Sequence, residues 1–285
     1  MFLTPWEEYV LNKDLPRMQY LCQCADRMIA EFVYNYNYSA PIPKIYIDAS
    51  DSFYPCSAPD GKIILPHGFF QWLENLVESL PDQITPEIKK KNAGLMMMFW
   101  VVAHEYSHLA RSHFELKKVR PDLYDACEYD ADMCATEGLF RHTQHILDSR
   151  KSGVTTINNK IYLLVSVFFY LRPLIDRDKL EYEKHHKPFH IRLWWILEKL
   201  AWIDNFDPVT AQPTEAFVSE IKILMDALYS AEKAYIKHNQ IENSLFIDLF
   251  VRFADTVKPY ADEISKKWQE AAPFVKQFQL IKIST

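Results

Sequence analysis

Nine consecutive apolar residues, Leu95–Ala103, run straight into His104-Glu105-Tyr106-Ser107-His108. A stretch that is apolar on every side has to be buried all round, so it reads as a central helix that carries the polar motif at its end into the interior. It is too short to cross a bilayer, which takes about 20 apolar residues. The other long run, Ile161–Leu171, is eleven residues and is closed by Arg172-Pro173. Both read as buried helices, and a membrane-embedded chain is disfavoured.

The rest of the chain reads as mainly helical, an α+β protein with a small sheet or hairpin. Only five of 285 residues are glycine, and the sixteen prolines fall mostly between periodic segments, where they punctuate helices. Thr4-Pro5-Trp6-Glu7 has the form of a capping box, predicting a long helix to about Tyr34. Pro41–Ile47 contains a strand candidate. Asp60-Gly61 is a turn, and Lys62–Pro66 is a second strand ended by its proline. From Gly68 onward helices are expected over roughly 68–80, 86–113, 122–149, 157–171, 189–202, 214–238 and, with breaks, 241–280. Phe217, Ile221, Leu224, Leu228, Ala231 and Tyr235 recur at helical spacing, as a core face does. No repeat or linker stands out, so 1–285 reads as one domain.

Histidines at i and i+4 on a helix point the same way, so His104 and His108 can reach one metal ion. Glu105 lies on a nearby edge of that face, where it can take a proton from a metal-bound water. Zinc lowers the pKa of such a water to about 7. The next predicted helix carries Cys127-Glu128-Tyr129-Asp130-Ala131-Asp132. Glu128 is the candidate third ligand, leaving the fourth position to water. Asp132, one turn further on, is placed to orient a ligand histidine through its free ring nitrogen. One Zn²⁺ per chain is expected.

The formal charge of −6 and pI near 5.9 argue against a nucleic-acid-binding surface, which needs a basic face. The runs Lys89–Lys91 and Lys117–Lys118 are the dense positive stretches. They fit solvated helix faces. Met1–Trp6 lacks the basic start and long apolar segment of a signal peptide. The five cysteines, without zinc-finger spacing, read as reduced thiols in a cytoplasmic protein.

These motifs resemble the gluzincin metallopeptidases of the HtpX and CaaX-prenyl-protease type, over about 45–200. The short gap between His104-Glu105-Tyr106-Ser107-His108 and Glu128-x-x-Ala131-Asp132 is closest to their soluble phage-exclusion branch. The family places a further histidine five residues after the second ligand, here His113, which has no ligand role in the resemblance and reads as structural. Upstream, Pro59–Gly68 resembles an edge strand leading into a helix. Downstream, His186 and Arg192 match the spacing of a family pair that assists the polarised carbonyl, as an oxyanion requires. Here proline follows two residues after His186 rather than one, and His185 and His190 compete for that role.

The resemblance implies a helical zincin-like core with a helical extension over about 205–285. It implies a zinc endopeptidase acting on a protein or peptide substrate, with a selective regulatory or anti-phage role. The strand Lys62–Leu65 is either a plain surface hairpin or an exposed edge on which Ile63, Ile64 and Leu65 pair with an extended substrate. The alternative is a catalytically silent gluzincin scaffold that binds or senses. Retention of Glu105 beside all three candidate ligands weighs against it.

Overall fold

The computed structural model describes residues 3–11, 13, 15–35, 39, 41–80, 90–149, 155–185, 189–207, 212–241 and 257–278. Helices dominate, and a four-stranded mixed sheet accompanies them, as the sequence predicts. Backbone contacts divide the chain into two compact units. One comprises Met1–Leu76, Met98–Ala135 and Lys267–Thr285, the other Val77–Met97 and Thr136–Lys266. No helix among the described residues is long and apolar enough to cross a membrane.

The first unit opens with β1 (Leu3–Pro5), α1 (Trp6–Leu11) and α2 (Pro16–Asn35). The single long helix expected here is thus two helices preceded by a strand. Pro16 explains the break: inside a helix it would remove a hydrogen bond and clash, so it stands instead at the first position of α2. The two helices are tied by Trp6 Nε1, which donates to Asp26 Oδ2 at 2.5 Å.

β2 (Lys44–Asp48), β3 (Cys56–Ala58) and β4 (Lys62–Pro66) complete the sheet, in the order β1-β2-β4-β3. β4 runs parallel to β2, with Ile45 opposite Ile63, and antiparallel to β3, with Ser57 opposite Ile63. The expectation that Lys62–Leu65 is an exposed edge is therefore wrong. β4 is paired on both sides, and Ile63, Ile64 and Leu65 are all buried. An unbroken apolar run is what a strand covered on both faces requires. The edge next to it is β3, joined to β4 by the turn at Gly61, whose φ of 85° suits glycine.

β4 leads directly into α3 (His67–Ser79), and Gly68 sits at the junction. Its N–H donates to Ser50 O, and the 49–55 loop lies so close that a Cβ there would meet Asp51 O at 2.3 Å.

Next come α4 (Lys90–Ala110), α5 (His113–Val119), a 3₁₀ turn at Pro121–Leu123 and α6 (Tyr124–Ser149). The expected helix 86–113 ends early because Ser112 takes a left-handed conformation, φ 54°, and turns the chain into α5. Much later in sequence, α10 (Lys258–Phe278) belongs to this unit from Lys267 onward. Its Ala271 and Val275 pack on Leu116, Leu123, Ala126 and Cys127, flanked by Trp268 and Phe274.

In the second unit α7 (Thr156–His185), α8 (Phe189–Trp202) and α9 (Glu215–Asn239) pack on one another. Two-residue strands, β5 (Phe206–Asp207) and β6 (Gln212–Pro213), pair before α9. The expected end of α7 at 171 is overrun, and the helix continues through Pro173. A proline inside a helix costs about 3 kcal/mol. Burial of Arg172 over the Tyr235 ring, 3.9 Å from Glu232, is among the contacts that favour the longer helix. The stripe on α9 is core at Leu224, Leu228, Ala231 and Tyr235, while Phe217 and Ile221 are half-buried.

The Gly68→Ala variant should lose stability by about 1–3 kcal/mol, because the atoms its methyl meets are backbone rather than movable side chain. Thermal unfolding checks this, and an unchanged midpoint would mean that the 49–55 loop is free to move aside.

Candidate metal centre

The last turns of α4 carry the two histidines, and the first turns of α6 carry the two carboxylates. Each pair is four residues apart on its own helix, so each presents both members on one face. All four residues are buried. His104 Nε2 and His108 Nε2 are 3.1 Å apart, with rings nearly perpendicular at 80°. The Glu128 carboxylate straddles them, Oε2 lying 3.4 Å from His104 Nε2 and Oε1 3.5 Å from His108 Nε2. These three residues form a group able to hold a metal ion.

Zinc–nitrogen bonds of about 2.0–2.1 Å set the edges of a tetrahedral site at about 3.3–3.4 Å. The separations of 3.1, 3.4 and 3.5 Å bracket that value. Burial pushes His108 well below the usual histidine range, even against the pull of Glu128, so it is a neutral donor at neutral pH. The carboxylates of Glu105, Glu128 and Asp132 are buried around these rings. Buried anions facing bare ring nitrogens are costly until a cation stands among them. The residues therefore fit a divalent ion with an N, N, O ligand set.

Asp132 Oδ1 lies 2.9 Å from His104 Nδ1, close enough for an ion pair although displaced from the ring N–H direction. Behind His108 the arrangement is longer. His108 Nδ1 is 2.9 Å from His113 Nδ1, and His113 Nε2 donates to Asp130 Oδ2 at 2.9 Å. Arg111 donates to the same carboxylate from Nε at 2.7 Å and from Nη2 at 3.1 Å. Burial alone would raise Asp130, but the His113 hydrogen bond and the Arg111 charge outweigh it and hold the carboxyl below its ordinary range.

Glu105 is anchored to the sheet. Its Oε2 accepts from Ser57 Oγ at 2.8 Å, which ties the motif to the sheet edge β3. Burial raises the Glu105 carboxyl above its ordinary range, partly offset by His104 and by the Ser57 hydrogen bond. Lys117 Nζ lies 3.4 Å from Glu128 Oε1, a positive charge beside the candidate ligand.

The structure thus brings together His104, Glu105, His108, Glu128 and Asp132. Arg192 is buried on α8 in the second unit, and His186 lies outside the described residues. The sequence reading missed Ser57, Arg111 and Asp130. His113 was visible from its spacing to His108, but its contact with a ligand ring was not. Comparison with protein-family models, with curated proteins and with solved structures finds no match.

Elemental mass spectrometry on tag-free protein should find about one zinc per chain, lost in His108→Ala. Glu128→Ala should weaken the affinity, and an unchanged zinc affinity would place the third ligand elsewhere.

Proposed function

We propose that the chain is a zinc-dependent endopeptidase of the gluzincin kind. The observation that carries this reading is the buried convergence of His104, His108 and Glu128, with the carboxylate of Glu105 one residue from the first of them. When bound, zinc would supply Lewis acidity at that point, polarising a carbonyl and lowering the pKa of a bound water to about 7.

The chain's own residues do the rest. His104, His108 and Glu128 would hold the ion. Glu105 takes the proton of the attacking water and delivers it to the leaving amine. Its raised affinity for protons, a result of burial, suits a group that must accept a proton and then release it. Ser57 keeps its carboxylate oriented.

The substrate is a protein or peptide in extended form. β3 pairs with β4 on one side only among the described residues, and Ser57 on it reaches Glu105. A substrate backbone added beside β3 would be held by main-chain hydrogen bonds and led past the general base. This assigns to β3 the role that Ile63, Ile64 and Leu65 were expected to fill. All five cysteines are free, in keeping with a reducing, cytoplasmic setting. A selective regulatory or anti-phage task rests on the resemblance.

Glu105→Gln should keep zinc and lose cleavage of a peptide library by about 10²–10⁴-fold, read by mass spectrometry. Cleavage at the wild-type rate in a zinc-loaded variant would remove Glu105 from the mechanism.

A further inference from the structure

The groups behind His108 form a chain whose direction is set at its far end. The Arg111 guanidinium has donors only, and it gives two of them to Asp130. Asp130 is therefore an acceptor, and His113 Nε2, 2.9 Å from Oδ2, carries the hydrogen between them. A second hydrogen on His113 Nδ1 would make that ring a cation. Two buried cations would then face one carboxylate, in a place where His113 is fully buried. With Nδ1 bare, His113 can only accept, and His108 Nδ1 donates to it across 2.9 Å. His108 Nε2 is left without a hydrogen, on the side that faces His104 and Glu128.

We propose that His113 is a positioning residue: with Asp130 and Arg111 it locks His108 in the tautomer whose Nε2 lone pair faces a divalent cation. The proposal rests on the metal-centre reading above and extends it beyond the ligands. The two ligand rings are held by different means. His104 has Asp132 directly against it, whereas His108 is held through a second imidazole and a bidentate arginine pair. The outer end of this chain is covered by α10, whose Trp268 ring lies 5.5 Å from the Arg111 guanidinium carbon. The ring contact shields the arginine and fixes the plane from which it donates. His113 thus joins the motif to a helix that begins 145 positions later, counted from His113 to Lys258.

The test is histidine-selective ¹⁵N NMR on the full chain without metal, beside zinc and cobalt affinities measured by chelator competition. The wild type should show His113 protonated at Nε2 only and His108 at Nδ1 only. In Asp130→Ala the acceptor that fixes the His113 hydrogen is removed, so neither ring should keep a single tautomer and zinc affinity should fall about 10–100-fold. His113→Ala should lose a similar amount. His113→Gln, whose amide accepts towards His108 and donates towards Asp130, should recover part of it. A wild-type spectrum with His108 protonated at Nε2, or with His113 doubly protonated at neutral pH, overturns the inference even if every variant fails to fold. So does a folded His113→Ala that binds zinc with wild-type affinity. A wild type with the expected tautomers that binds neither metal refutes the metal centre itself, and with it the role assigned to His113.

Discussion

Buried carboxylates and imidazoles are tolerated only where each finds a partner, and that demand organises the first unit. Two helices each contribute a polar pair four residues apart, and the pairs face one another inside an apolar shell. Met98–Ala103 of α4, all buried, lead directly into the motif in this unit. The remaining polar atoms are met by groups brought from other elements: Ser57 from the sheet, Arg111 from the turn after α4, His113 and Lys117 from α5. A half-satisfied buried network is worse than an apolar core, so these partners are as much a part of the fold as of the chemistry.

α6 is the common support. Glu128 faces both rings, Asp132 backs His104, and Asp130 anchors the chain behind His108. Three acidic residues at alternate positions of one helix reach three different partners, because successive helical positions turn by about 100°. A shift of α6 would therefore disturb the third carboxylate and the backing of both histidines together.

What could be read from the chain follows from the range of the interactions. The pairs His104–His108 and Glu128–Asp132 were legible because helical spacing alone aligns them. Ser57 meets Glu105 across 48 positions and Arg111 meets Asp130 across 19, and no local pattern marks either. The identity of the sheet edge was misread although a signal existed. Ile63-Ile64-Leu65 is apolar on consecutive positions, which an edge strand with one wet face does not need, whereas β3 is too short and too small-chained to announce itself. Helix breaks were read unevenly for a similar reason. Pro16 stops a helix that little else holds together, while Pro173 lies in one that tertiary packing carries through.

The docking of α10 on α5 and α6 has a temporal meaning. Its Ala271 and Val275 complete the cluster of Leu116, Leu123, Ala126 and Cys127, and its Trp268 covers Arg111. A ribosome adding about 5–20 residues per second needs on the order of ten seconds to pass from the α6 segment to this helix. Through that interval the nascent chain has His104, His108 and Glu128 but lacks the helix that covers Arg111. The support behind His108 is thus completed only when the distant helix emerges, and a chain interrupted before it would leave the ribosome with the motif intact and its support incomplete.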